Sequence, residues 1–245
     1  MNITDIIKEK LAKKNHITVN IVGDSVTLGL SHCTPDETYT ACFAKMIAEA
    51  FPEYTVRRFD GITTDPLGKM DYFEGPFTVQ EGNAGIIDFI RNGIGGNSVK
   101  RAHNRITDFT GTLANGQASD ITTLMFGIND ALRWDANRYV TPDVFKQNYK
   151  NLIDEIRERD PETTLIIMSA TTNDHPIDKH CEKSAELARE EGIYYIDHFK
   201  TWADHYDEKM PNFGHGDWLS CKPGDACHPS PIGAIQIAKN MLDEF

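Results

Sequence analysis

Gly23-Asp24-Ser25 sets a serine directly behind a glycine and a carboxylate. Glycine permits a sharp turn. A serine at such a turn would stand at the end of a strand with a helix N-terminus behind it, where free N–H groups can stabilise an oxyanion. A helix-capping role for Ser25 is the simpler alternative. Near the other end of the chain, Asp225-Ala226-Cys227-His228-Pro229 spaces a carboxylate and an imidazole three residues apart, which puts both on one face of a helical turn. The carboxylate can then accept the ring Nδ1–H and leave Nε2 as a base. Between these lie Asn92-Gly93-Ile94-Gly95-Gly96-Asn97 and Gly127-Ile128-Asn129-Asp130. Adjacent glycines let the backbone approach a ligand closely and aim an N–H at it. The Asn129 amide is a neutral donor of the kind that holds an oxyanion without protonating it. An ordinary glycine turn and an Asx turn or helix cap are the plainer readings of these two. Each cluster alone is weak. In order along one chain they supply a nucleophile, two oxyanion donors and an acid–base pair, the set needed to attack a carbonyl carbon through a covalent intermediate.

Other polar groups compete for these roles. Asp174-His175, Asp178 with His180, Asp197-His198 and Asp204-His205 are further acid–imidazole pairs, but none stands just before a closing helix. His198, His205 and His215 lack the helical spacing of a zinc pair such as HExxH, so they read as solvated surface histidines. Cys227, inside the Asp225/His228 pair, reads as a small packing residue. Trp134, close behind the Asn129 cluster, is a pocket-wall candidate, with plain packing the alternative.

The elements that must position these clusters alternate between strand and helix. Ile17 to Val22 is β-branched and ends at Gly23, the signature of a buried strand. A helix is predicted over Ala41 to Phe51, a strand over Tyr54 to Phe59, a strand over Ile86 to Arg91 and a helix over Val99 to Phe109. Ile121 to Phe126 is a short apolar run ending in glycine. A long helix follows from Thr141, with Thr141 as N-cap and Pro142 at the first position. A strand over Thr164 to Ser169, a helix over Ile177 to Glu190, a short strand over Ile193 to Ile196 and a closing helix over Pro231 to Phe245 complete the pattern. Residues 60–85 are rich in turn formers and aromatics and read as a hairpin excursion beside the main sheet. Strands alternating with helices imply a mostly parallel sheet covered on both faces. Ligands in such folds sit at the carboxyl ends of the strands, where the polar clusters fall.

Composition narrows the partners. The 245 residues suit one domain with a sizeable core. A net charge of −12 argues against a nucleic-acid partner, because phosphate contacts need clustered Lys and Arg. No stretch is apolar for long enough to span a bilayer, and residues 1–16 lack the apolar run of a signal peptide. A cytoplasmic location is the expectation. The five cysteines, Cys33, Cys42, Cys181, Cys221 and Cys227, include no CxxC pair and read as reduced thiols.

With these blocks in place, the chain resembles the SGNH hydrolases, also called the GDSL esterase/lipase family. Gly23-Asp24-Ser25 matches the first block of that family, Ile94-Gly95-Gly96-Asn97 the second, Gly127-Ile128-Asn129-Asp130 the third, and Asp225-Ala226-Cys227-His228-Pro229 the last. The resemblance implies an α/β fold: a three-layer α/β/α sandwich around a mostly parallel, flavodoxin-like sheet of about five strands. It implies Ser25 as nucleophile with Asp225 and His228 as partners. It implies an oxyanion hole of the Ser25 N–H, the Gly96 N–H (Gly95 is the adjacent alternative) and the Asn129 side chain. No metal or organic cofactor is required. No Gly-x-Ser-x-Gly surrounds Ser25, which separates the chain from the α/β-hydrolase lipases.

The expected partner is a small-molecule ester. Short acyl groups lead, with deacetylation of carbohydrates first, because the chain lacks an amphipathic lipid-binding helix. An acyl thioesterase or lysophospholipase, served by a longer apolar groove, is the enzymatic alternative. A non-catalytic carbohydrate-binding protein on the same scaffold is the alternative of a different class. The excursion at 60–85 is expected to shape the substrate pocket or the interface of a homo-oligomer.

Overall fold

The structure, a computed structural model, describes residues 2–30, 34–64, 69–132, 135, 137–171, 177–205, 218 and 228–243. In chain order its elements are α1 (Ile3–Leu11), β1 (His16–Gly23), α2 (Ser25–Leu28), α3 (Tyr39–Ala50), β2 (Thr55–Ile62), β3 (Tyr72–Gln80), β4 (Ile86–Gly93) and α4 (Val99–Asn104). There follow β5 (Ile121–Met125), α5 (Pro142–Arg159), β6 (Thr164–Met168), α6 (Asp178–Glu191), β7 (Tyr194–Ile196), α7 (His198–His205) and α8 (Pro231–Leu242).

The strands form one sheet in the order β3-β2-β4-β1-β5-β6-β7, and every neighbouring pair is parallel except β2 with β3. The five strands β4-β1-β5-β6-β7 take the flavodoxin-like order 2-1-3-4-5. The remaining two extend that core at one edge: β2 lies parallel outside β4, and β3 folds back antiparallel along β2. The sheet therefore has seven strands rather than five, because β2 and, outermost, residues 72–80 join it beyond β4.

Alternation along the strands divides the core into two layers. Ile17, Val19 and Ile21 of β1, with Ile166 and Met168 of β6, pack against Ile3 and Ile7 of α1, Phe43 and Ile47 of α3 and Ile237 of α8. Val22, Leu124, Leu165 and Ile167 point the other way, onto Ala102 of α4, Tyr149 and Ile153 of α5 and Leu187 of α6. Phe43 meets Phe89 edge to face at 5.5 Å between ring centroids, a favoured aromatic geometry.

Several boundaries differ from the sequence reading. The helix predicted to reach Phe109 stops at Asn104 and resumes as a short 3-10 turn over Ile106–Asp108. Arg105 breaks it: its guanidinium turns inward to bond the side chain and carbonyl of Asn92 and to lie over the Phe109 ring. Thr141 is the N-cap residue of α5 and Pro142 its first residue, but the threonine hydroxyl makes no capping bond. Two helices escaped the sequence reading. Helix α1 buries Ile3, Ile6 and Ile7 beneath an otherwise charged surface, and α7 buries Trp202. Among the described residues no helix is long and apolar enough to cross a membrane.

Candidate active site

The carboxyl ends of β1, β4 and β5 lie side by side, in register through Gly23, Gly93 and Met125. On this edge the chain leaves β1 into α2, a single helical turn that starts at Ser25. Asp24, not Ser25, is the N-cap: its Oδ1 accepts the Val26 N–H at 2.9 Å. The Ser25 hydroxyl is therefore not needed to hold the turn, and the residue is 8% exposed. Its N–H is among the first-turn donors that a helix leaves without an internal acceptor.

The turn is clamped against the sheet. A Cβ on Gly93 would stand 2.2 Å from the Leu28 nitrogen, so β4 ends in glycine because α2 rests directly on it. At the far end of α2 the Arg91 guanidinium donates to the Leu28 carbonyl. Arg91 is itself held by Asp60, which accepts from Arg91 and Arg58, each at 3.1 Å. Gly93→Ala is expected to push the turn off the sheet and cost about 2 kcal/mol, in the range of overpacked cores. Urea unfolding would measure it. A midpoint equal to wild type would show that the contact is slack.

After β4 the backbone passes through Gly96 at φ +65°, a conformation few residues other than glycine adopt. Asn97 then donates its side-chain amide to the Gly23 carbonyl at 3.4 Å. After β5, Asn129 neither caps a helix nor forms an Asx turn. Its amide nitrogen donates to the Asn97 carbonyl at 3.0 Å and to Asp24 Oδ2 at 3.3 Å, while its oxygen accepts from Arg138 at 3.0 Å. Asn129 thus bridges the loops that follow β1 and β4, and Arg138 fixes which end of the amide points at them.

Two buried carboxyls underlie this edge. Burial pushes the Asp24 carboxyl up to about 6, opposed by the Val26 N–H, by the nearby His228 and by Asn129. Burial pushes Asp130 up to about 8; the Val99 N–H opposes this and the charge of Asp24 adds to it. Near neutral pH, Asp24 is the anion of the two. Sequence reasoning passed over Asp24 and Asp130 as acids and Arg138 altogether. The first two stood inside the recognised blocks, but their burial follows only from the fold.

His228 is half-buried, two residues before Ser230, the N-cap of α8. It lies near enough to Asp24 to oppose the upward push of burial on that carboxyl. Asp225, Cys227 and Trp134 lie outside the described residues, as do Asp174, His175 and His215. The competing histidines are engaged elsewhere. His198 is fully buried, bonded through Nδ1 to Asn240 at 3.3 Å, and burial pushes its pKa down to about 3. His180 contacts the Val140 carbonyl at 3.0 Å, and His205 stacks on Trp218.

The model of the GDSL-like lipase/acylhydrolase family matches residues 78–234. The match takes in Gly96, Asn129, Asp225 and His228 and begins beyond Ser25. No curated protein matches the chain in sequence. Similar solved structures include the acetyl xylan esterase AlAXEase, 18% identical with a TM-score of 0.62, over 92% of this chain and 98% of that one. A family 3 carbohydrate esterase from Clostridium thermocellum is 17% identical with a TM-score of 0.60, over 92% of each chain. A peptidoglycan O-acetylesterase is 13% identical with a TM-score of 0.65, over 97% of this chain and 93% of that one. At these identities the likeness is one of fold.

Proposed function

Because the chain belongs to the GDSL-like lipase/acylhydrolase family, and is by that membership a carboxylic ester hydrolase, we propose that it removes short acyl groups, acetyl first, from carbohydrate esters through a Ser25–His228–Asp225 triad. The observation that carries this reading is the convergence on Asp24. The residue before Ser25 accepts from the amide of Asn129, 105 positions away, and has His228 nearby. The Asn129 bond ties the third block to the first at this carboxylate, on the strand edge where ligands of such folds bind, and His228 lies near enough to act on it. The acetyl group and the sugar are taken from what the similar structures are named for.

In this mechanism Ser25 Oγ attacks the ester carbonyl carbon while His228 Nε2 takes the hydroxyl proton. The carbonyl oxygen becomes an oxyanion held by the Ser25 and Gly96 N–H groups and by Asn129. For Asn129 to serve, its longer contact, 3.3 Å to Asp24, must yield to the oxyanion, while the bond to Asn97 keeps the amide oriented. Collapse expels the alcohol, which receives the proton from His228, and leaves Ser25 acylated. Water, deprotonated by His228, attacks the acyl-enzyme and releases the acid. Asp225 orients the ring and stabilises the imidazolium. Loss of one oxyanion donor costs about 3 kcal/mol of barrier.

The test is hydrolysis of p-nitrophenyl acetate, butyrate and octanoate, with acetate release from acetylated xylan alongside. The expected order is acetate first, with kcat/KM down about tenfold or more at octanoate, since a few methylenes decide such pockets. A preference for octanoate would overturn the short-acyl reading in favour of a lysophospholipase or thioesterase.

A further inference from the structure

A cavity of about 370 Å³ adjoins the loop that carries Gly96. Among the described residues it is lined by Ile94, Gly95 and Asn97 from that loop, by Lys69, and by Arg101, Asn104 and Arg105 from α4 and its C-cap. Among the described residues, three cations and no carboxylate line this cavity, in a chain whose net charge is −12. Arg101 and Lys69 are exposed, and Arg101 Nη1 donates to the Gly96 carbonyl at 3.3 Å, so the positive wall is joined to the candidate oxyanion loop. Arg105 is 8% exposed, and its Nε makes no hydrogen bond. Its Nη1 pairs with Asp108 at 3.8 Å and, like Nη2, donates to Asn92. A buried guanidinium with an unused N–H is costly unless something accepts from it.

We propose that this cavity takes a sugar carboxylate, so that the preferred substrates are acetylated glycans carrying a uronic acid close to the ester. The inference rests on the esterase reading above and narrows its substrate. Guanidinium groups match a planar carboxylate better than ammonium groups do, and Arg101 supplies an exposed one. The position beside Gly95 and Asn97 puts the carboxylate on the same strand edge as the proposed reacting carbonyl. The attraction steers substrate as well as holding it, so it weakens as salt rises.

The experiment compares acetate release from two acetylated xylo-oligosaccharide preparations. One carries glucuronic acid side groups; the other is the same material after enzymatic removal of them. The readout is the ratio of the two kcat/KM values within each enzyme, which a general loss of activity does not move. Wild type is expected to favour the charged preparation about tenfold, the scale of one charge-assisted contact. The Lys69→Gln/Arg101→Gln double variant is expected to bring the ratio close to one. Arg101→Lys, which keeps the charge, should retain part of the preference. A wild-type ratio near one, with acetate released from both, overturns the carboxylate site and leaves the esterase reading standing. Cleavage of p-nitrophenyl acetate with no release from either preparation overturns the carbohydrate reading, and this inference with it.

Discussion

Ser25→Ala is expected to lower kcat on p-nitrophenyl acetate by roughly 10⁶-fold, the scale on which a nucleophile is lost from a working triad. What makes the experiment clean is the division of labour at the start of α2. Asp24 caps the turn through the Val26 N–H, Gly93 lets it sit on the sheet, and Arg91 binds its last carbonyl. None of these uses the Ser25 hydroxyl, and alanine is the best helix former. The variant should therefore unfold within about 0.5 kcal/mol of wild type, as substitutions away from such features do. Steady-state kinetics and urea unfolding on the same preparation give both numbers. Activity within tenfold of wild type would move the nucleophile elsewhere and sink the triad. Lost activity together with a large fall in stability would assign Ser25 a structural part instead.

A second large effect concerns pH. Asp130 is 1% exposed and its carboxyl is pushed up to about 8 from an ordinary 3.8. In the unfolded chain that group sheds its proton near the ordinary value, whereas the folded chain keeps it until about 8. Between the two, the folded state binds the extra proton, so stability falls as pH rises and the loss is complete above the folded value. The total is on the order of 5 kcal/mol. Asp24, pushed up to about 6, adds to the lower part of the same window. Asp130→Asn keeps an acceptor for the Val99 N–H, bonded to the carboxylate at 3.2 Å, and cannot ionise. Urea midpoints at about pH 5 and about pH 9 should drop steeply for wild type and much less for the variant. Equal drops in both would mean that some other group carries the dependence.

The candidate site was legible where chemistry and a strand end coincide. Ser25, Gly96 and Asn129 each stand within a few residues of a β-branched run that stops at glycine, and periodicity finds such runs. The sheet beyond its five-strand core was harder to see. Residues 72–80, Tyr-Phe-Glu-Gly-Pro-Phe-Thr-Val-Gln, carry a glycine and a proline in mid-strand and expose Tyr72 and Phe77. An edge strand tolerates that pattern and a central strand does not, so local sequence underrates it. Helix α1 hid its three inward isoleucines among lysines and acids. The charge network under the site was illegible for another reason. Whether Asp24 and Asp130 are ions or neutral acids depends on burial, and burial is a property of the fold rather than of the residue.

Strand β1 lies at the centre of the sheet, three strands from either edge. Sheets open from their margins, where backbone groups face water and few neighbours hold them. For the turn at Ser25 to lose its footing by fraying, β3, β2 and β4 must first peel away on one side, or β7, β6 and β5 on the other. The strands added beyond β4 lengthen the first route from one step to three. Strands β2 and β3 thus act as a guard rail for the candidate site, keeping it out of the range of motion in which the sheet margins breathe.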